Sequence, residues 1–243
     1  LINRVANLLT YGRGSDSEEV PQWATEDDLA FLENYPEQPT AEERGRMQRL
    51  CRLDPAAPWS VLAVTFTNKA ANELRERLSA FGIQGAESVW AMTFHSACVR
   101  MLRRDIDRLG FSRDFTIYDT DDSKRVIKDI LKEFGIDEKK LAPREALSAI
   151  SNAKDAMESP EDYAKRWNGS GDWRREAIAK IYARYVRKLA EANALDFDDI
   201  ILHAVALLQK EGDVRDYYRR KFRYVLIDEY QDTNRLQYLL IKL

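Results

Sequence analysis

Cysteine is nearly absent. Cys51 and Cys98 are the only two in 243 residues, which excludes a disulfide framework, and they match no metal-ligand spacing. Long apolar runs are missing too: the longest, near Ile200 to Leu208, falls far short of the roughly 18 residues a membrane helix needs. The N-terminus lacks the basic, apolar, small-residue order of a secretory signal. There is no basic excess, since 38 Lys and Arg face 41 Asp and Glu. None of the ten glycines is followed by lysine, so a Gly-x-x-x-x-Gly-Lys-Ser/Thr phosphate cradle is absent. These absences predict a soluble, cytoplasmic chain in a reducing compartment, without a membrane partner. At 44% hydrophobic residues and this length, disorder throughout is excluded, and one large or two modest domains are expected.

The near-neutral charge conceals a partition. Residues 1–59 hold 6 basic and 11 acidic side chains, and Asp16 to Glu43 carries ten carboxylates with no Lys or Arg. One acidic segment therefore masks a slightly basic body. The same stretch, about residues 12–58, contains five prolines and reads as a surface insertion. Short helices are expected from Glu26 to Asn34 and from Ala41 to Arg52, with Thr25 and Thr40 as N-caps. A solvated loop or a surface for a protein partner both fit it.

Leu1, Ile2, Val5, Leu8 and Leu9 recur at helical spacing without a preceding cap. Leu236, Leu239, Leu240 and Leu243 form a second apolar stripe that stops without a breaker. The chain is thus expected to be a fragment of a larger protein. From Ser60 to Thr67 an apolar, β-branched run predicts a buried strand, Asn68 to Phe81 an amphipathic helix, Val89 to Phe94 a second strand, and His95 to Leu109 a second helix. Strand alternating with helix predicts a parallel α/β sheet. Ile117 to about Arg220 reads as almost wholly helical, with starts at Asp119 or Thr120, Pro143, Ser159 and Asp196. Arg223 to Ile227 is then a third buried strand. No internal repeat is visible.

That third strand delivers Asp228 and Glu229 at its carboxyl end, where ligands of open α/β sheets bind. In nucleotide hydrolysis one carboxylate holds Mg²⁺, usually through water, and a second polarises the attacking water; Asp228 suits the first role and Glu229 the second. An Asp-Glu pair alone could equally cap the next helix. Gln231, Asp232 and Thr233 follow in fixed order, which favours the chemical reading.

The stretch Asp228-Glu-Tyr-Gln-Asp232 resembles the Walker B motif of superfamily 1 DNA helicases of the UvrD/Rep/PcrA type. Ala63 to Ala71 (Ala-Val-Thr-Phe-Thr-Asn-Lys-Ala-Ala) is similar to the family's motif Ia, Thr93-Phe-His-Ser96 to motif Ib, and Leu195-Asp-Phe-Asp-Asp199 to a segment of its helical insertion. Order and spacing agree over residues 60–243. The resemblance implies an α/β fold in which a partial RecA-like parallel sheet (the P-loop NTPase domain 1A) carries an inserted, mostly helical subdomain (1B). The expected boundaries are 1–97 for the first part of 1A, 98–220 for 1B, and 221–243 for the return to 1A.

The implied parent is an ATP-dependent 3′–5′ DNA helicase and single-strand translocase of DNA repair or replication, bacterial and nucleoid-associated, acting on single-stranded DNA and single-strand/duplex junctions. Catalytic roles fall on Asp228, Glu229 and Gln231, with Asp228 holding Mg²⁺ through water. Thr65, Phe66, Thr67, Asn68, Thr93, His95 and Ser96 are the implied single-strand contacts: an aromatic face stacks a base, and hydroxyls near a helix start suit phosphate oxygens. Taken singly, His95 could be a structural histidine, and Thr65 or Thr67 a strand residue or cap. ATP and Mg²⁺ belong to the full-length parent. With no P-loop, which the resemblance puts just before Leu1, this chain is expected to bind neither alone and to be inactive. Alternatives are a helicase–nuclease subunit of the RecB/AddA kind and a non-catalytic DNA-binding or docking module.

Between Tyr163 and Leu189, eight Lys or Arg accompany two acids, with Trp167, Trp173, Tyr182 and Tyr185 among them. The helical spacing of Ile178, Ile181, Tyr182, Tyr185 and Leu189 predicts that these aromatics are core. Arg174, Arg175 and Lys180 are candidates for duplex contact on the resemblance alone. His203 is assigned to packing.

Overall fold

The computed structural model describes residues 1–14, 17–18, 20 and 22–243. Of the acidic segment, Asp16, Glu19 and Pro21 lie outside the described residues, as does Ser15. Two compact units emerge: residues 1–93 with 220–228, and residues 94–219 with 229–243. Contacts within each thus group residues 229–243 with the helical unit.

The first unit opens with α1 (Ile2–Thr10), whose Val5, Leu8 and Leu9 are buried. Helices α2 (Glu26–Glu33) and α3 (Ala41–Leu50) follow, each started by a capping box from Thr25 or Thr40 as the sequence predicts. Arg46 of α3 ties the two together, donating to Asp27 and Asp28 at 2.7 Å and lying over the Phe31 ring. No residue of α2 is buried. The base of this stretch is closed by backbone hydrogen bonds: Arg13 N–H to Leu53 C=O at 2.7 Å, Leu53 N–H to Tyr11 C=O at 2.9 Å, and Ala56 N–H to Leu8 C=O at 2.9 Å. Gly12 sits there at φ +66°, and a Cβ would lie 2.3 Å from the Leu53 carbonyl oxygen, so only glycine fits.

Strand β1 (Val61–Thr65) is buried at every residue, as expected for a central strand covered on both faces. Helix α4 (Asn68–Ala80) crosses over to β2 (Trp90–Thr93), which pairs parallel to β1 with Leu62 opposite Trp90 and Thr65 opposite Thr93. Leu74 and Leu78 of α4 meet Val5, Leu8 and Leu9 of α1 and Val61 and Ala63 of β1 in one core.

The second unit begins with α5 (Phe94–Asp105) and a 3-10 turn to Leu109, then β3 (Thr116–Ile117), α6 (Thr120–Glu133), α7 (Pro143–Asp155), α8 (Pro160–Trp167) and α9 (Trp173–Glu191). Strand β4 (Ala194–Leu195), α10 (Phe197–Lys210) and α11 (Gly212–Lys221) complete it up to the return. Its core joins Ile127, Ile130, Leu131, Ile150, Tyr163, Ile181, Tyr182 and Tyr185. Two findings depart from the sequence reading. Thr116–Ile117 pairs parallel with Ala194–Leu195, a ladder too short to leave a periodic signal. Trp173, expected in the core, is 48% exposed, because it is the first residue of α9 and its ring projects before the buried stripe begins at Ile178.

The chain then returns as β5 (Tyr224–Ile227), parallel to β1 on the edge opposite β2, with Leu62 opposite Val225 and Val64 opposite Ile227; as an edge strand it is not buried as the sequence predicts, and Val225 is exposed. Arg223 Nη1 donates to Asp54 Oδ1 at 2.8 Å, fastening the strand's start to the end of the insertion. Helix α12 (Arg235–Lys242), capped by Asn234 with Gln237, packs in the second unit against α10. Among the described residues no helix is long and apolar enough to cross a membrane.

Candidate functional site

The three parallel strands end together. Thr65 and Thr93 are paired in register, and Ile227 pairs with Val64, so Asp228 stands level with Thr65. The backbone N–H of Asp228 donates to the Val64 carbonyl at 2.9 Å. Thr93, Thr65 and Asp228 thus form a row across the carboxyl edge of the sheet, the place where this architecture receives ligands.

Within the row the side chains differ in access. Thr65 is 1% exposed, and its hydroxyl donates to the Thr67 carbonyl at 3.0 Å. Thr67 is exposed and accepts from the Ala70 N–H at 3.1 Å, capping α4. Both threonines therefore shape the turn from β1 into α4. Phe66 is half-buried and Asn68 exposed, while Thr93 is buried. Asp228 is half-exposed, and Glu229, exposed, takes φ +48°, a left-handed conformation that costs a non-glycine residue roughly 1–2 kcal/mol. Gln231 is exposed in the 3-10 turn Tyr230–Asp232, which Thr233 closes by donating its hydroxyl to the Tyr230 carbonyl at 2.8 Å. The sequence-level alternative, that Asp228 and Glu229 cap the next helix, is not what the structure has: the cap of α12 is Asn234.

Asp228 is a hard oxygen donor at a strand end, which fits the water-mediated hold that Mg²⁺ takes from one or two carboxylates plus substrate phosphates. No group of three or more His, Cys, Asp or Glu among the described residues could hold a metal ion.

In the second unit, His95 and Ser96 lie in the first turn of α5, His95 half-buried and Ser96 exposed. The His95 ring meets Phe197 edge to face, 6.0 Å between centroids. Burial lowers the His95 pKa, against the opposing pull of Asp198, which favours the neutral imidazole. Phe197 is 48% exposed. It lies inside the Leu195–Asp199 stretch, yet sequence reasoning did not select it. The available signal was an aromatic between two aspartates that share a helix face.

Phe197 is exposed because its neighbours are not. Asp196 caps α10, its Oδ1 accepting the Asp199 N–H at 2.8 Å, while the Asp199 carboxylate accepts the Asp196 N–H at 3.3 Å. Lys154 Nζ, from α7, lies 2.7 Å from both carboxylates, and the Tyr185 hydroxyl donates to Asp196 Oδ2 at 2.8 Å. Burial beside a second carboxylate pushes Asp199 up to about 7, while Lys154 and its hydrogen bonds hold Asp196 low. His203, half-buried beside Phe111 with ring centroids 5.0 Å apart, is pushed down to about 4 by burial and the Lys154 charge. Of the duplex-contact candidates, Arg174 pairs with Glu145 at 3.1 Å, Arg175 stacks on Trp167, and Lys180 is exposed.

A parallel-sheet unit carrying an acidic strand end, interrupted by a helical unit, is the arrangement of a motor-domain part. Residues 45–243 match the UvrD/REP helicase N-terminal domain, and the chain belongs to that family. It is similar to the ATP-dependent DNA helicase PcrA of Bacillus subtilis (strain 168), at 42% identity over 241 residues, 99% of this chain and 32% of that protein. PcrA of Staphylococcus aureus (strain Mu50) is 43% identical over 236 residues, 97% of this chain and 32% of that protein. PcrA of Staphylococcus epidermidis is 41% identical over 237 residues, 98% of this chain and 32% of that protein. The chain spans about a third of the length of these curated relatives. The family match begins within α3, so α2 lies outside it.

Proposed function

We propose that this chain is the strand-binding and water-activating part of an ATP-dependent DNA helicase that translocates 3′ to 5′ on single-stranded DNA. The observation that carries the reading is the row Thr93, Thr65 and Asp228 at the carboxyl ends of three parallel strands, in a chain 42% identical to a DNA helicase. Phe66, Thr67 and Asn68 offer one aromatic and polar surface to a strand in the first unit. His95, Ser96 and Phe197 offer another in the second. Thr65 and Thr93, being buried, act by shaping the turns that present their neighbours.

Asp228 would hold Mg²⁺, and Glu229 would accept a proton from a water positioned beside it. When bound, the metal neutralises charge on the phosphates. Gln231 would add a polar contact to the nucleotide. Lacking any Gly-Lys phosphate cradle, the chain by itself does not hydrolyse ATP or unwind DNA, and domain 1A chemistry is completed by other parts of the helicase. Single-strand/duplex junctions, a role in repair or replication, nucleoid association and a protein partner for the acidic insertion are parts of this proposal.

The test is fluorescence anisotropy of a labelled oligo-dT with the purified chain at low and moderate salt, alongside a phosphate-release assay. Weak binding that falls steeply with salt, without ATP turnover, is the expected result. Salt-independent binding, or ATP turnover abolished by Glu229→Gln, would overturn it.

A further inference from the structure

The segment Asp196-Phe-Asp-Asp199 has two aspartates turned inward and an aromatic turned outward. The aspartates stand three positions apart, at the N-cap and in the first turn of α10, and so lie on one face. Both meet the same ammonium, Lys154 Nζ, at 2.7 Å. Lys154 comes from α7 and is 1% exposed. A lysine is almost never buried so fully unless it is paired, and a methionine would fill the space without the desolvation cost.

What the ion pairs add is orientation. Asp196 Oδ2 takes both the Lys154 ammonium and the Tyr185 hydroxyl, and its Oδ1 caps α10. The first turn of α10 is thereby pinned from α7 and α9 together. Its rotation fixes the Phe197 ring, which His95 meets edge to face. Farther along, Ile200, Ile201, Ala204, Val205, Leu207 and Leu208 are buried, so apolar packing seats the rest of the helix without the clamp. Losing Lys154 frees the first turn and leaves the helix in place.

We propose that Lys154 is a positioning residue for strand binding: clamped between Asp196 and Asp199, it holds the exposed Phe197 ring against His95. This rests on the reading of Phe197 and His95 as strand contacts.

The test uses the full chain with Lys154→Met. Aromatic NMR reports the cross-ring NOE between His95 and Phe197, circular dichroism reports helix content, and anisotropy reports binding of labelled oligo-dT. The expected result is retained helix content, loss of the NOE, and roughly tenfold weaker binding, the size of one lost base stack. Phe197→Ala should weaken binding equally, and the double variant no further. Ile130→Ala, a cavity in the core of the same unit, serves as the stability control and should keep both NOE and affinity. Retention of the NOE and of wild-type affinity in Lys154→Met would overturn the proposal. So would equal weakening by Ile130→Ala. Should Lys154→Met fail to fold, Asp199→Asn, which removes one partner of the ammonium, is read by the same criteria. If Phe197→Ala leaves affinity unchanged, the strand-contact reading fails, while the NOE still decides whether Lys154 positions the pair.

Discussion

The Asp228 N–H donates to the Val64 carbonyl at 2.9 Å, which makes Asp228 the last residue held by the sheet and Glu229 the first residue off it. The chain turns sharply there, through the φ of +48° at Glu229.

Two substitutions separate the strain from the chemistry. Glu229→Gly should raise the unfolding free energy of this chain by up to about 1 kcal/mol, the relief of the left-handed backbone less the added freedom of the unfolded chain. Urea denaturation measures it, and a clear loss of stability would argue against strain. In a helicase that joins this chain to a phosphate-binding loop, Glu229→Gln should slow ATP hydrolysis about 10² to 10⁴-fold, the usual worth of a general base. DNA binding should be unchanged.

Buried groups of opposite linkage meet around Lys154. Asp199, raised to about 7, faces Lys154 of α7, Tyr182 and Tyr185 of α9, and Asp196. The folded chain therefore holds its proton between about pH 4 and 7 while the unfolded chain has lost it, and this contribution to stability declines as pH rises through that window. His203, lowered to about 4, faces Lys154, Asp196 and Lys210. There the unfolded chain binds the proton first, and stability rises between about pH 4 and 6.5. The two slopes oppose each other. Asp199→Asn should leave stability rising with pH relative to wild type, and His203→Phe should leave it falling, each by up to about 1.4 kcal/mol per pH unit. Parallel urea curves for all three proteins across this range would refute the assignment.

Gly12→Ala should cost more than about 1 kcal/mol, since it combines a left-handed φ with a Cβ placed against the Leu53 carbonyl. Gly135→Ala provides the comparison: it also has positive φ, but open space around its Cβ position, so it should cost less. Limited proteolysis should detect earlier cleavage between residues 12 and 53 in Gly12→Ala only.

Much of the fold was legible in the residues. The runs Val61 to Thr65 and Tyr224 to Ile227 are short, apolar and β-branched, and Thr25, Thr40, Ser159 and Asp196 cap helices as their side chains dictate. What stayed hidden depends on distant partners. Phe197 reads as one aromatic among acids until Lys154, 42 residues earlier in the chain, is seen to draw both aspartates inward. Trp173 shares the composition of its buried neighbours and differs only in standing at a helix start. Residues 116–117 and 194–195 form a ladder because two helices bring them together, a fact no local pattern carries. At the strand ends, the sequence could indicate which residues follow β1 but not that Thr65 is spent on the Thr67 carbonyl.

The stretch between Gly12 and Leu53 leaves and rejoins its unit beside a gate of backbone hydrogen bonds, from Arg13 to Leu53 and from Leu53 to Tyr11. The register of β1 with β2 and β5 involves no residue of that stretch. Lengthening an enclosed loop costs only about 0.6 kcal/mol per doubling. The gate is therefore a port at which an engineer could lengthen the enclosed loop or mount a reporter at little cost to the fold.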